Sequence, residues 1–415
     1  MTMQTERFSS HDYMENHPQV IKILVWTIVL IVIAAILVVV GIVNNRLDLA
    51  ILLIVAAALL VVAAIVNNRL VSAICLIVIG AILIVVAIDV YTLEGVIVKA
   101  SKSFVNGLAL SMLLFLMVSG FFLIFGLCDV INFAHGAFFM LGGFMGFVIY
   151  LGTEALFLDP NLPFLLLFGA NHYVMSVFAF IVSALGATAI MALIGGGIEF
   201  FTIRRLYGNS IAQILLTVGF MFIITQAAEI IWGPPQFSYF IIPGSSSQLD
   251  TFFMGGVLVF GDIIFETYNI FLIFLGFAVG GLMFLGFRKT RIGLQIQAGI
   301  EDKEMVEALG TDIRKLFTIV FMLGAGLAGL SGAVLVPMIG ASSGHGLTYL
   351  IYAFVIVVVG GAHYGRFEGT FFGALIVGLS IQFSSYFIPF LENIIVFIIM
   401  VIILIVKPGG LTGHE

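Results

Sequence analysis

The chain has 415 residues, of which 62% are hydrophobic and only 9% charged, and its mean hydropathy is +1.26. A soluble domain of that size keeps a charged surface, so the composition excludes one and indicates a polytopic membrane protein. The formal net charge of −6 excludes little, because in a membrane protein the position of the basic residues matters more than the total.

Residues 1–19 form a polar tail of mixed charge that includes Arg7, His11, Asp12, Glu15 and His17. It lacks the basic start, short apolar core and small-residue cleavage site of a secretory signal. The expectation is a short tail leading into a retained membrane anchor. A helix needs about 20 apolar residues to cross a hydrocarbon core about 30 Å thick. Three candidates near 20–43, 49–66 and 70–90 make an N-terminal transmembrane repeat over 20–90. Within it, Ala34–Leu47 recurs as Ala57–Leu70, each copy ending Ile-Val-Asn-Asn-Arg-Leu, with a fainter copy from Gly80. Such self-similarity suggests duplication of a hairpin-sized unit, and a structural anchor is its first reading.

After a linker at 91–103, glycine and phenylalanine become frequent and polar residues enter the spans. Further spans are predicted near 104–126, 132–150, 173–200, 211–231, 268–287, 316–340, 348–365, 369–389 and 391–406. The mixed segment 251–267 reads as either a hairpin outside the bilayer or a re-entrant piece. The predicted fold is therefore all-α, a polytopic transmembrane helical bundle of about 12 spans (roughly 10 to 13) with broken or re-entrant helices. Arg204, Arg205, Arg288, Lys289, Arg291, Lys303, Arg314, Lys315, Arg366 and Lys407 then share one side, which the positive-inside rule makes cytoplasmic, with both termini. Lys99 and Lys102 fall on the other. Small residues four apart, Gly142/Gly146, Ala325/Gly329, Ala328/Gly332 and Gly369/Gly373, predict close helix packing in lipid.

The stretch Leu127–Gly143 sets an acid, an amide and an imidazole (Asp129, Asn132, His135) between two apolar segments. Ionisable and polar groups in such surroundings are costly and usually face a bundle interior or a water-filled cavity. A helix capped by Asn132 would point free backbone N–H groups inwards, and broken helices of this kind offer a dipole and donors to a carboxylate. Phe133, His135, Gly136, Phe139 and Met140 complete this candidate substrate pathway; capping and packing alone is the other reading. The later run Glu368-Gly369-Thr370-Phe371-Phe372 echoes His135-Gly136-Ala137-Phe138-Phe139. Glu199, Gln226 and Glu229 lie near span ends and read as structural.

Residues 288–315 are the most highly charged stretch. Glu301–Leu309 is predicted to form a short amphipathic helix, with Met305, Ala308 and Leu309 on one face and Gly310 as its stop. Such a helix suits docking into a partner's groove, or is simply a solvated turn. No nucleoside-triphosphate-binding loop is present, since Gly-Lys occurs nowhere in the chain. No catalytic residue and no metal site is expected: Asp129 and His135 lack a serine or second acid at useful spacing, and the histidines are scattered. Cys75 and Cys128 form no CxxC pattern.

An ordered series of motifs then carries a resemblance. It comprises Val130-Ile131-Asn132-Phe133-Ala134-His135-Gly136, Arg204-Arg205-Leu206 leading into Ile214–Gly219, and Trp232-Gly233-Pro234. It continues with Thr290-Arg291-Ile292-Gly293, Glu307-Ala308-Leu309-Gly310, Gly324–Gly329, Val358-Val359-Gly360-Gly361 and Lys407–Leu411. Over 104–411 the chain resembles permeases of the branched-chain amino acid ABC importer family; the N-terminal repeat and His363-Tyr364 depart from that pattern. The resemblance implies a permease domain at 104–411 in a bacterial inner membrane, carrying branched-chain or other hydrophobic amino acids. It also implies an ATPase-coupling element in the loop 288–315, formed by Gly299, Glu301, Asp302, Glu304, Glu307, Ala308, Leu309 and Gly310. Expected partners are ABC ATPase subunits, a second permease in a heterodimer, an extracytoplasmic binding protein and membrane lipid, but not nucleic acid. No cofactor is expected in this chain, ATP and Mg being bound by the ATPase subunits. Urea or short amides are the alternative cargo within the family, and an ion-coupled secondary transporter the alternative class.

Overall fold

The computed structural model describes residues 93–157, 172–233, 257–260, 263–361, 367–407 and 409–411. The chain divides into two compact units, residues 1–99 and 100–415, and the second holds every described helix apart from the opening turns of the first. The N-terminal repeat at 20–90, its three predicted spans and His363-Tyr364 lie outside the described residues.

Helix α1 (Leu93–Cys128) leads across residues 129–133 into α2 (Ala134–Phe157). Helix α3 (His172–Phe201) is followed by a 3-10 turn at Ile203–Leu206 and by α4 (Ser210–Trp232). Strands β1 (Val257–Phe260) and β2 (Ile263–Glu266) form an antiparallel hairpin in which Val257 faces Glu266 and Phe260 faces Ile263. Within the mixed segment near 251–267, the described residues before Thr267 are thus paired strands, as the hairpin reading expected. Helix α5 (Thr267–Lys289) leads into two short helices, α6 (Arg291–Glu301) and α7 (Lys303–Ala308). Then come α8 (Ile313–Ile339), α9 (His345–Gly360), α10 (Phe367–Phe387), a 3-10 turn at Pro389–Leu391 and α11 (Ile395–Val406).

Seven of the described helices are long and apolar enough to cross a membrane: α1, α2, α3, α4, α5, α8 and α10. At about 1.5 Å per residue, α9 (16 residues) rises about 24 Å and α11 (12 residues) about 18 Å, both short of a 30 Å hydrocarbon core. The protein is thus an all-α, multi-pass membrane protein.

The order of the bundle follows from glycine. Helix α8 is the central element, because its small residues let three other helices approach its backbone. A Cβ on Gly332 would collide with the Phe139 carbonyl of α2, and one on Gly142 with the backbone of Gly329. A Cβ on Gly324 would lie 2.7 Å from the Gly120 carbonyl of α1, and Ala325 meets Gly195 of α3. In lipid there is no hydrophobic drive between helices, so close van der Waals contact across such positions sets the packing. The glycines of the small-residue pairs read from the sequence all fall at such contacts, Gly360 of α9 meeting Gly369 of α10 among them. The principal core gathers α1, α2, α3, α8, α9 and α10; a second, smaller cluster sits at the opposite pole of α1 and α8.

Candidate functional site

The α1–α2 break is built by an unusual backbone conformation. Asp129, exposed, takes φ +56°, the left-handed region that among the described residues no other non-glycine residue enters; Asp is one of the few side chains that tolerates it. The chain then turns back along α1. His135 Nε2 lies 3.0 Å from the carbonyl oxygen of Met117, and the helical rise places Met117 about 16 Å along α1 from Cys128. Residues 129–133, at up to about 3.3–3.6 Å each, supply that reach. Helix α2 therefore begins deep beside α1 and not at its end. Irregular backbone at such depth is tolerated only where protein or a water-filled cavity surrounds it. Here Val130 and Asn132 are fully buried, and Thr217 Oγ1 of α4 approaches the Ile131 carbonyl at 3.4 Å.

Asn132 is 0% exposed, and neither Oδ1 nor Nδ2 has a hydrogen-bond partner. Its expected role as a side-chain N-cap is corrected accordingly: the Asn132 backbone carbonyl accepts from the His135 N–H at 3.1 Å while the amide stays unengaged. His135 is equally buried, its Nδ1 also unpartnered and its ring edge-on to Phe121 at 5.4 Å. Gly136 admits the Gly346 backbone of α9, and Phe139 stacks on Tyr349 of α9 at 4.6 Å. Met140 is buried beside them and Phe133 packs partly buried on the same core. The six residues expected to form the pathway thus share one neighbourhood between α1, α2 and α9. The echo at Glu368–Phe372 extends to the glycine only. Gly369 packs on Gly360 as Gly136 packs on Gly346, but Glu368 is exposed, 3.9 Å from Arg288.

The loop after α5 differs from the single helix expected at Glu301–Leu309. Glu301 ends α6, and Asp302 breaks the chain and caps α7, its Oδ1 accepting from the Met305 N–H at 2.9 Å. Asp and Asn favour such caps because they satisfy an orphan N–H. Gly310 ends the element with φ +88°, accepting a conformation that costs any other residue. Among the α7 residues whose burial is described, Val306 alone is buried; Met305 (58% exposed) and Leu309 (78%) are exposed beside Glu304, Glu307 and Ala308. Helix α6, capped by Thr290, buries Gly293, Ile296 and Gly299. A Cβ on Gly299 would lie 2.6 Å from Leu127 Cδ1, and one on Gly126 3.6 Å from Ile300 Cδ1. The loop is thereby seated on the last turn of α1, directly before the break.

A polar cluster wider than the neutralised helix end that Glu199, one turn before Arg204, suggests in the sequence lies beside this seat. Glu199 of α3, fully buried, accepts from Arg204 Nε and Nη2 at 3.2 Å each, from Tyr207 Oη at 3.2 Å and from Thr318 Oγ1 of α8 at 2.6 Å. Burial first, then the nearby Cys128 and Glu199, push the Tyr207 phenol far above its ordinary value, so it remains a donor. Asp312 caps α8 through the Lys315 N–H at 3.2 Å, and that residue's hydrogen bonds hold its carboxyl below the ordinary 3.8. Among the described residues no group of His, Cys, Asp and Glu is placed to hold a metal ion.

Comparison with known proteins gives the family of the chain. Residues 103–405 match the family model for the branched-chain amino acid transport system permease component. The high-affinity branched-chain amino acid transport system permease protein BraD of Pseudomonas aeruginosa is 24% identical over 319 residues, 75% of this chain and 95% of its own length. LivH of Escherichia coli K12, a permease protein of the same description, is 24% identical over 318 residues (74% and 94%). The probable LivH of Methanocaldococcus jannaschii is 25% identical over 315 (74% and 90%). No solved structure matches the chain. With a family match over most of its length, the chain belongs to the permease components of branched-chain amino acid transport systems and is a transport subunit, not an enzyme.

Proposed function

We propose that this permease carries branched-chain or other hydrophobic amino acids across a bacterial inner membrane, driven by ATP hydrolysis in separate ABC ATPase subunits. It works beside a second permease and receives its cargo from an extracytoplasmic binding protein. The observation that carries this reading is the seat of α6 on α1: an ATPase engaging the exposed Met305, Leu309 and their acidic neighbours on α7 acts on Gly299 and Leu127, hence on the break. Gly299, Glu301, Asp302, Glu304, Glu307, Ala308, Leu309 and Gly310 form the coupling element. That side is cytoplasmic, with both termini.

At the break, Asn132 offers an amide and His135 a ring nitrogen without partners, at the start of a helix whose dipole favours a carboxylate. Phe133, Phe139 and Met140 supply the apolar flank for a branched side chain, and Gly136 the space between α2 and α9. Leaving such a buried polar group unpaired costs roughly 1–3 kcal/mol, a cost that a transport site recovers when cargo binds.

Leu309→Arg tests the coupling. Because Leu309 is 78% exposed, the change leaves the bundle intact. ATPase co-purification and ATP-dependent leucine uptake should both fall at least about tenfold, the effect of a lost apolar anchor in a docking interface. Retention of both with a normally folded variant sinks the assignment. Competition of leucine uptake by isoleucine and valine, but not urea, is the expected substrate profile; competition by urea instead would shift the cargo to short amides.

A further inference from the structure

The Glu199 cluster is more than a neutralised helix end. Arg314, Phe317 and Thr318 are in the first turns of α8, just beyond Gly310, the residue that ends α7. Glu199, Arg204 and Tyr207 belong to the end of α3 and the turns after it. The cluster bridges these two sides at several points. Besides the Thr318–Glu199 bond, Arg204 Nη2 reaches the Arg314 carbonyl at 3.3 Å and also donates to Thr318 Oγ1, and the Tyr207 ring meets Phe317 edge-on at 4.8 Å.

Thr318 is the informative member. Its hydroxyl has one hydrogen and two acceptors in range, Glu199 Oε2 at 2.6 Å and the Arg314 carbonyl of its own helix at 3.1 Å. A charged acceptor at the shorter distance takes the proton. The other bond is the usual back-bond of threonine to the carbonyl four residues earlier. The hydroxyl therefore has a second place to go within α8 if α8 parts from α3. When Thr318 leaves, Glu199 keeps three of its four donors, Arg204 Nε and Nη2 and Tyr207 Oη, so its buried charge stays paired while α8 parts from α3.

We propose that Glu199, Arg204 and Thr318 are positioning residues forming the joint that transmits movement of α7 to the bundle. With the joint closed, Thr318 bonds Glu199 and α8 is locked to α3. Displacement of α7 by its ATPase draws the start of α8 away, and Thr318 turns to the Arg314 carbonyl while Glu199 keeps Arg204 and Tyr207. The proposal rests on the ATP-driven transport proposed for this permease.

The test uses the assembled transporter in proteoliposomes, with ATP hydrolysis and substrate import measured together. Thr318→Val keeps the size and branching of the side chain and removes only the hydroxyl. It should retain ATP hydrolysis while the ATP consumed per molecule imported rises roughly five- to tenfold, the scale of a typical coupling free energy. Thr318→Ser should restore the wild-type ratio, and Glu199→Gln combined with Thr318→Val should be no worse than Glu199→Gln alone. An unchanged ratio in Thr318→Val, whether both rates stay normal or fall together, reduces the cluster to a tether and overturns the joint. Where Glu199→Gln fails to assemble, Thr318→Val decides alone. Wild-type import that needs no ATP overturns the proposal at its base and is recognised before any variant is compared.

Discussion

Asn132 is the residue at which stability and the proposed transport role pull apart. Its amide is completely buried and unengaged, so replacing it by an apolar side chain of similar size removes a desolvation cost of about 1–3 kcal/mol. Asn132→Leu should therefore unfold at a higher temperature than the wild type in detergent, followed by intrinsic fluorescence, and yet lose most of its substrate uptake. A variant that transports normally would return Asn132 to packing. Asp312 gives a pH-dependent counterpart. Its folded pKa lies below its ordinary 3.8, so its cap on α8 is fully present above that value and is lost as pH falls through the folded value. Amide exchange at Lys315, which donates to Asp312, should accelerate relative to its neighbours over that acidic range, and less sharply at high salt because the pair is exposed. Asn132 was legible in the sequence in part. An amide and an imidazole in apolar surroundings announce themselves, but that Asn132 would leave its side chain uncapped depends on how residues 129–133 run back along α1. Thr318 was illegible, because an ordinary threonine in a helix gains its meaning only from Glu199, far away in the chain.

At the scale of elements, the contact of α2 with α8 decides whether the bundle forms. The space at Gly332 is already filled by the Phe139 carbonyl, and backbone cannot yield as a side-chain tip can. Gly332→Ala should cost about 1–3 kcal/mol or more by overpacking, seen as loss of monodisperse protein on size-exclusion chromatography. Gly281→Ala on α5, with nothing within 4 Å of its added Cβ, serves as the control and should be neutral or gain up to about 1 kcal/mol in helix propensity. Equal behaviour of the two would show that glycine spacing does not order this bundle. The small-residue pairs were readable because their four-residue period places them on one helix face; their partners were not, since nothing local specifies that α8 receives α1, α2 and α3 together. Likewise Gly310 was a readable stop, whereas the division at Asp302 was hidden: Glu301 and the acidic run look equally helical until the Asp302 side chain turns to the Met305 N–H.

The whole molecule raises a question of economy. The relatives align over 94–95% of their own length in BraD and LivH but only 74–75% of this chain, and the family match begins at residue 103. The compact unit that starts at Ala100 contains the helix break, the α6–α7 element and the Glu199 joint. Every group to which transport is assigned therefore lies in a unit with its own core. Transport should then survive removal of residues 1–92: the shortened chain, produced with its ATPases and second permease, should still co-purify with them and import leucine in an ATP-dependent manner. Its rate per assembled complex should stay within about twofold of the full chain, because no interaction named at the break or the joint is lost. Collapse of uptake in a complex that assembles normally would place a transport function in the N-terminal repeat. Failure to assemble would make that repeat an assembly element, and either result would show that the family's common helices do not suffice in this protein.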